Sequence, residues 1–120
     1  MISFIIPAYN AGKTIGRTIN SIINQEGTSE NYEIIVVDDG SDDDLKERVE
    51  EFKNDKRIKY FYKDNTGVSD TRNYGVNQAI GEYIIFVDSD DYISKTLLKD
   101  IEPYINQNID LIKWKPIFVD

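Results

Sequence analysis

Four runs of mostly apolar residues are the feature that most constrains the fold of this chain. They are rich in isoleucine, valine and aromatic residues, and they span residues 2–6, 33–37, 58–62 and 83–87. Strands that are apolar almost throughout, rather than at every second position, are typical of a parallel sheet covered on both faces. Segments with helical spacing of apolar residues follow the runs, so the pattern predicts four βα units.

The predicted helices each carry a stripe of apolar residues at intervals of three and four, which places those residues on one face. The third helix is predicted over residues 69–80, and the last segment, 109–120, contains a strand-like stretch at 111–114 but completes no unit. This alternation, with right-handed crossovers, predicts an α/β fold with a doubly wound, mostly parallel sheet flanked by helices on both faces. The stripes are Ile15, Ile19, Ile22 and Ile23; Leu45, Val49 and Phe52; Val76, Ala79 and Ile80; and Leu97, Leu98, Ile101, Tyr104 and Ile105.

Three of the predicted strands end in polar clusters. Pro7 cannot donate to a sheet ladder, so we expect it to end the first strand, with a loop over residues 8–12 after it. Asp38–Ser41 follow the second run and Asp88–Asp91 follow the fourth. The carboxyl ends of parallel strands meet at one edge, where ligands of such sheets bind. Clustered carboxylates at that edge indicate a divalent cation and a phosphorylated ligand, because uncompensated carboxylates repel one another.

A purely structural explanation of the acids after the fourth run is also open. Aspartate and serine commonly begin turns and cap helices, and Ser94 or Asp91 could cap the helix that follows. For Asp91 we favour the capping role.

The composition limits the chemistry of such a site. The chain has no histidine and no cysteine, so a metal would be held by oxygen ligands, which favours Mg²⁺ or Mn²⁺. The formal net charge of −8 argues against a nucleic-acid-binding module, which needs a basic face. No stretch approaches the roughly 20 apolar residues that span a bilayer, and the amino terminus lacks the basic region and cleavage site of a signal peptide. We therefore expect a cytoplasmic protein with no membrane segment in these residues.

Six short motifs between residues 5 and 91 follow the order and spacing of a known family. On these motifs the chain resembles the inverting glycosyltransferases of family 2, which use nucleotide-activated sugars and have the Rossmann-like GT-A fold. The resemblance implies that fold and the transfer of a sugar with inversion at its anomeric carbon. The motifs are residues 5–10 (IIPAYN), 22–25 (IINQ), 33–41 (EIIVVDDGS), 65–69 (NTGVS), 71–73 (TRN) and 81–91 (GEYIIFVDSDD).

The resemblance implies a donor site at the strand ends. In similar enzymes the loop that matches Pro7, Ala8 and Tyr9 embraces the base and the ribose, with Tyr9 stacked on the base. A tyrosine ring packed on the following helix is the alternative. Asp39 matches the acid that accepts the imide N–H of uracil, which makes UDP the expected nucleotide. Asp38 is expected to orient its loop through backbone N–H groups, a role that is open for Asp39 as well.

Residues Asp88, Ser89 and Asp90 resemble the DXD motif of the family. That similarity implies that Asp90 ligates Mn²⁺ or Mg²⁺ directly and that Asp88 contacts the ribose or a metal-bound water. The metal would offset the charge on the departing nucleoside diphosphate. Arg72 matches a position near the phosphates, although an arginine on a helix is more often solvated or salt-bridged. Asp70 stands where the family usually has alanine, and it could pair with Arg72 or weaken the attraction of Arg72 for phosphate.

The general base that an inverting transfer needs is expected beyond Asp120, because the residues after Asp91 match no motif for it. We therefore interpret residues 1–120 as a single nucleotide-sugar-binding domain, a part of a longer glycosyltransferase, that binds better than it catalyses. The expected partners are a UDP-sugar donor and a glycan or lipid-linked acceptor. Such an enzyme would serve polysaccharide or bacterial cell-surface glycan synthesis in the cytoplasm, or peripherally at the inner face of the membrane.

Three other functions remain open. A receiver-like signalling domain has a similar α/β pattern, but it would need paired acids after its first strand, where this chain has residues 7–10 (PAYN). A haloacid-dehalogenase-like phosphatase has a nucleophile loop similar to residues 88–92, but that loop follows the first strand of its domain and here it follows the fourth. A non-enzymatic metal-binding α/β module is the third alternative, although an EF-hand loop would need glycine at Ile93 and glutamate at Lys99. The order of the motifs favours glycosyl transfer.

Overall fold

The four apolar runs form one parallel sheet. Its strands are β1 (Ile2–Ala8), β2 (Tyr32–Asp39), β3 (Ile58–Lys63) and β4 (Tyr83–Phe86). Their order in the sheet is β3-β2-β1-β4, and each of the neighbouring pairs is parallel. From β1 the chain adds β2 and β3 on one side, and it then adds β4 on the other side of β1. The position between β1 and β4 is therefore the topological switch point of a doubly wound sheet. The computed structural model describes residues 1–28 and 31–106.

Helices cover both faces of this sheet. They are α1 (Ile15–Ile23), α2 (Leu45–Glu50), α3 (Val68–Gln78) and α4 (Leu97–Asn106). Successive residues of a strand point to opposite faces. On β1, Phe4 and Ile6 therefore join the apolar cluster that includes α1, α2 and α4, whereas Ile5 joins the cluster against which α3 packs. The prediction of a doubly wound α/β fold with helices on both faces is confirmed.

Strand β1 continues through Pro7, so the prediction that this proline ends the strand was wrong. Pro7 pairs in register with Val37 of β2. On the other side of β1, the carbonyl of Ile5 accepts a hydrogen bond from the N–H of Val87. Pro7 faces that same side two residues later, past the end of β4 at Phe86. Its missing N–H therefore leaves no sheet hydrogen bond unmade.

The predicted buried face of the third helix was wrong in part. Val76 is 36% exposed, and Ile80 lies beyond the end of α3 and is 70% exposed. The buried residues of α3 are instead Thr71 and Gly75. A Cβ on Gly75 would lie 2.4 Å from Cγ2 of Ile5, so the missing side chain is what lets α3 approach β1 so closely. A close contact through glycine cannot be predicted from a stripe of apolar residues, because glycine has no side chain to contribute to the stripe.

Helix α4 buries Leu97, Leu98 and Ile101 as predicted, whereas Tyr104 of the same predicted stripe is exposed. The strand-like stretch at 111–114 lies outside the described residues. Among the helices of the described residues, none is long and apolar enough to cross a membrane.

A buried polar network closes the amino-terminal end of the sheet. Glu33 of β2 accepts hydrogen bonds from Ser3 Oγ at 2.5 Å, from Lys59 Nζ at 2.8 Å and from the backbone N–H of Ile80 at 2.7 Å. Burial raises the pKa of Glu33, but these donors outweigh it and hold the pKa below its ordinary value. The N–H of Gly81 also donates to Ser3 Oγ. The network thus fastens the loop between α3 and β4 to the sheet.

Candidate functional site

Two adjoining clefts open at the carboxyl edge of the sheet. The first, the β2 cleft, has a volume of about 270 Å³. It is lined by the ends of β1 and β2, the loop after β3 and the start of α3. Pro7, Ala8, Tyr9 and Asp39, which were predicted to bind nucleotide, all line this one space.

The second, the β4 cleft, has a volume of about 530 Å³ and is lined by Lys13, Asp88 and Asp90 among others. Pro7, Tyr9 and Val68 line both clefts, so the two spaces are neighbours. The structure therefore brings the acids after β4 next to the space that Asp39 lines. This is the convergence at the switch point that the sequence pattern predicts.

The loop that carries Tyr9 is fastened to the loop after β2. Asn10 donates its N–H to Ser41 Oγ at 2.9 Å, and its side-chain oxygen accepts from the N–H of Asp42 at 2.8 Å. Asn10 has a positive φ of 50°, a conformation that asparagine adopts more readily than most residues. Tyr9 beside it is 52% exposed, so its ring remains accessible to a ligand in either cleft.

Asp39 is almost fully buried and already accepts three hydrogen bonds. Its Oδ1 accepts from Lys63 Nζ at 2.8 Å and from the N–H of Thr66 at 2.9 Å, and its Oδ2 accepts from the N–H of Gly67 at 3.1 Å. Burial raises the pKa of Asp39, but Lys63 and the two backbone donors outweigh it and keep the pKa below its ordinary value. The carboxylate is therefore held ionised, with room for one further donor on Oδ2.

Asp38 orients the loop after β2, as expected. Its Oδ1 accepts from the N–H of Ser41 at 2.9 Å, and its Oδ2 accepts from the hydroxyl of Tyr60. Burial, together with the bond to Asp38, raises the pKa of Tyr60 above its ordinary value. Asp38 is buried and does not line either cleft. Its role is thus to hold the turn that presents Asp39.

The acids after β4 form an exposed cluster. Carboxylate oxygens of Asp88, Asp90 and Asp91 all lie within 4.8 Å of one another. Negative charges this close repel unless a cation lies between them. Hard divalent cations such as Mg²⁺ and Mn²⁺ take oxygen ligands of this kind. The donor set therefore fits a divalent metal, and Asp90, the predicted metal ligand, belongs to it.

The expectation that Asp91 caps the next helix was wrong. Helix α4 begins only at Leu97. The side chain that accepts a backbone hydrogen bond just before it is Ser94, whose Oγ accepts from the N–H of Thr96 at 3.2 Å. The position of Asp91 within the acidic cluster places it with the candidate metal ligands instead.

Arg72 of α3 reaches the same cluster. Its Nη2 lies 3.5 Å from Oδ1 of Asp88, and its Cζ lies 5.7 Å from the ring centre of Phe86. The Nε of Arg72 is buried and has no hydrogen-bond partner among the described residues. The ion pair that Arg72 forms is thus with Asp88, not with Asp70.

Sequence reasoning assigned no role to Lys13 or Lys63. Lys13 lines the β4 cleft and brings a positive charge to the side that carries Asp88 and Asp90. Its place in the loop after the first strand was a usable signal, because that loop must lie at the carboxyl edge. Lys63 ends β3 at the same edge, but its partner Asp39 is far away in the chain, so the sequence does not reveal the pair.

Comparison with known proteins assigns a family. The model described as Glycosyl transferase family 2 matches residues 3–114. An uncharacterized glycosyltransferase of Rickettsia conorii is 44% identical over 107 residues, which are 89% of this chain and 17% of that protein. The poly(ribitol-phosphate) β-N-acetylglucosaminyltransferase TarS of Staphylococcus aureus is 38% identical, over 96% of this chain and 21% of TarS.

A solved structure agrees with this assignment. The crystal structure of residues 1–349 of S. aureus TarS in complex with UDP-GlcNAc superimposes with a TM-score of 0.81 at 39% identity, over 88% of this chain and 31% of that one. The GT-A fold is therefore shared. This chain spans about a fifth of the length of the curated relatives described above.

Proposed function

The chain belongs to glycosyl transferase family 2, and on that premise we propose that it forms the donor-binding part of a longer glycosyltransferase. The donor is a UDP-sugar, and the reaction inverts the configuration at the anomeric carbon. The acceptor is a glycan or a lipid-linked precursor in cell-surface polysaccharide synthesis. UDP-GlcNAc is the first donor to test, because it is the ligand in the related TarS structure.

The observation that carries the proposal is the pair of adjoining clefts with different chemistry. A nucleoside diphosphate is elongated, with a flat base at one end and two charged phosphates at the other. The β2 cleft offers an accessible aromatic ring on Tyr9 and a buried carboxylate on Asp39. The β4 cleft offers the acidic cluster and Lys13. Pro7 and Tyr9 line both spaces, so one ligand could occupy them together.

The base end of the site is suited to uracil. Asp39 is held ionised, so it can only accept hydrogen bonds, and Oδ2 has capacity for one more. Uracil presents an imide N–H, whereas cytosine presents an acceptor at the same ring position. A cytosine would therefore face the carboxylate with a repulsive lone pair. Tyr9 would stack on the base, and Pro7 and Ala8 would contact the base and ribose.

The diphosphate end requires a cation. Asp90 would hold Mn²⁺ or Mg²⁺, Asp88 would contact the ribose or a water on the metal, and Arg72 would lie near the phosphates. When bound, the metal would offset the negative charge that develops on the departing UDP. The general base would come from residues beyond Asp120, so the described residues bind and orient the donor and do not complete the transfer. The enzyme would act in the cytoplasm, or peripherally at the inner face of the membrane.

Isothermal titration calorimetry of the 120-residue chain with UDP tests this proposal. Titrations with and without Mn²⁺, and with CDP and GDP in place of UDP, separate the base reader from the metal site. We expect saturable binding that Mn²⁺ strengthens and that favours UDP over CDP by about tenfold, the cost of one misplaced hydrogen bond to a charged group. Equal binding of the three nucleotides, or no effect of Mn²⁺, would contradict the proposal.

A further inference from the structure

Helix α1 and its cap present polar side chains to the segment that follows β4. Thr14, Thr18 and Ser21 follow one another at intervals of four and three, which places them on one side of the helix. Thr18 is fully buried. A hydroxyl that is buried in the protein needs a hydrogen-bond partner, because burying it without one costs free energy. Each hydroxyl has at least one partner in the loop of the acidic cluster or just after it, besides a backbone carbonyl three or four residues earlier in the chain.

Three consecutive backbone carbonyls of that loop are held by α1 and its cap. Thr14 Oγ1 donates to the carbonyl of Ser89 at 2.8 Å, and Arg17 Nη2 donates to the carbonyl of Asp90 at 2.9 Å. Thr18 Oγ1 lies 2.5 Å from the carbonyl of Asp91 and 2.9 Å from that of Ser89, both nearer than the carbonyl of Thr14 in its own helix at 3.3 Å, so the loop carbonyls are the favoured acceptors of its single proton. The backbone of residues 89–91 therefore faces the helix.

The same face of α1 continues this attachment down the segment. Ser21 Oγ accepts from the N–H of Ile93 at 3.1 Å. Just after the helix, Gln25 donates to the carbonyl of Ser94 at 2.7 Å and accepts from the N–H of Leu98 at 2.9 Å. The loop is thus fixed along its length as far as the start of α4.

We propose that Thr18 is a positioning residue for the acidic cluster: its hydroxyl fixes the backbone of residues 89–91 so that the carboxylates of Asp88 and Asp90 are held together for a divalent cation. The inference rests on the proposed function of that cluster. It concerns a residue that touches neither the metal nor the nucleotide.

The physical reason is the repulsion within the cluster. Three carboxylates within 4.8 Å of one another favour a loop that opens and separates them when no cation is bound. Hydrogen bonds from a packed helix oppose that opening. The loop therefore loses less conformational freedom when the metal binds, which favours binding. Residues that orient metal ligands through hydrogen bonds typically change metal affinity by about 10- to 100-fold when they are removed. Thr18 holds the backbone rather than the ligand atoms, so we expect an effect at the lower end of that range.

The test is the affinity of the 120-residue chain for Mn²⁺ alone, measured by calorimetry in Thr18→Val and Thr18→Ser. Valine matches the shape of threonine but has no hydroxyl, whereas serine keeps the hydroxyl. We expect Thr18→Val to bind Mn²⁺ about tenfold more weakly and Thr18→Ser to stay within about twofold of the wild type. UDP binding without metal should be unchanged in both variants, since the β2 cleft is not altered.

Three further variants keep the test decisive. Ser3→Ala removes another buried hydroxyl that donates to a polar partner, Glu33, but at the opposite end of the sheet. It should lower the free energy of unfolding without changing the affinity for Mn²⁺. If Thr18→Val does not fold, Thr14→Val compared with Thr14→Ser decides the question, because Thr14 is only half-buried and also holds the carbonyl of Ser89. Thr14 lines the β4 cleft, so the serine variant, which keeps the hydroxyl, controls for a direct effect on the cleft.

The possible results separate the two proposals. Wild-type affinity for Mn²⁺ in a folded Thr18→Val chain, or an equal loss in Ser3→Ala, would overturn the positioning role and leave the donor site standing. A wild-type chain that binds neither Mn²⁺ nor UDP would overturn the proposed function and the positioning role together.

Discussion

The acids at the end of β2 and the acids after β4 lie at the same edge of one sheet but have different surroundings. Asp39 is 5% exposed and accepts hydrogen bonds from Lys63 and two backbone N–H groups. Asp88 and Asp90 are exposed and their carboxylates lie within 4.8 Å of each other, with Arg72 Nη2 3.5 Å from Asp88 and Lys13 lining the same cleft. The same sequence pattern, an apolar run followed by acids, has thus produced a buried carboxylate that accepts three hydrogen bonds and a cluster of carboxylates that lie close to one another.

The difference follows from where the two strands lie. β2 lies between β1 and β3, so the loop after β3 can fold over its end and supply donors to Asp39. β4 has only β1 as a neighbour among the described strands, and α1 contacts the loop after it through backbone carbonyls rather than carboxylates. The buried carboxylate of Asp39 can therefore accept a single further N–H, whereas the carboxylates after β4 lie close enough to one another to favour a cation between them.

Asp39→Asn should disrupt the contacts of the buried carboxylate and have the largest effect. The amide keeps one acceptor, but its NH₂ group must face Lys63 or a backbone donor, and Lys63 loses its counter-charge. Breaking a largely buried ion pair in this way costs about 3 kcal/mol in the free energy of unfolding. Urea denaturation measures it, with Asp64→Asn, the same change on an exposed neighbouring residue, as the control. Equal stability of the two variants would show that the network around Asp39 contributes nothing.

Asp90→Asn should disrupt the acidic cluster after β4 with little effect on folding. Removing one of the clustered charges relieves repulsion, so the protein should be as stable as the wild type or slightly more so. The affinity for Mn²⁺ should fall by about 100-fold, because removing a ligand costs at least as much as removing a group that orients one. Titration calorimetry measures this loss, and Asp100→Asn on the exposed face of α4 is the matched control. Unchanged Mn²⁺ affinity in Asp90→Asn would exclude the residue as a ligand.

Tyr9→Ala should weaken nucleotide binding without touching either group of acids. Stacking of a base on an aromatic side chain contributes about 1–3 kcal/mol, so we expect UDP to bind about tenfold more weakly in the presence of Mn²⁺. The side chain is half exposed, so the melting temperature should hardly change. Tyr9→Phe keeps the ring and should bind UDP as the wild type does. A loss in Tyr9→Phe equal to that in Tyr9→Ala would mean that the hydroxyl, not the ring, contacts the ligand.

Lowering the pH should have the smallest effect on the free energy of unfolding, because the loss of stability occurs only in acid and is absent at neutral pH. The pKa values of Asp39 and Glu33 are lower in the folded than in the unfolded chain, because nearby donors outweigh the effect of burial. Their stabilisation is fully present above the unfolded pKa values of about 4 and is lost as the pH falls through the lower folded values. Urea denaturation should therefore show constant stability from pH 7 to about pH 5 and a steady decrease below about pH 4. In Glu33→Gln the free energy of unfolding should decrease less steeply below about pH 4 than in the wild type. An equally steep decrease in that variant would contradict the role of Glu33.

The fold could be predicted because hydrophobic patterning decides it. The continuous apolar runs gave the strands, and their alternation with helical stripes gave the parallel sheet and the edge where Pro7, Asp39 and Asp88 meet. Two local errors have the same origin. Pro7 is tolerated in β1 because β4 ends early, and α3 packs through Gly75 rather than Val76, and neither fact is visible without knowing which elements are neighbours.

The placement of the candidate site's acids could be predicted, but the contacts that support them could not. Asp39 ends β2, and Asp88 and Asp90 lie in the loop after β4, so topology dictates their location at the edge. Lys63 and Thr18 act through partners far away in the sequence, and their residue types are equally common in roles without function. The departure at Asp70 had no consequence for the ion pair of Arg72, which forms with Asp88.

Paramagnetic broadening by Mn²⁺ tests the division between the two groups of acids most directly. Substoichiometric Mn²⁺ is added to the ¹⁵N-labelled chain without nucleotide, and the loss of each amide signal is followed by NMR. We predict that broadening is centred on residues 88–91 and on the start of α1, and that the amides of Ser41, Thr66 and Gly67 near Asp38 and Asp39 are affected later. Broadening centred on the residues around Asp39, or spread evenly over the acidic surface, would contradict a metal site built from the acids after β4.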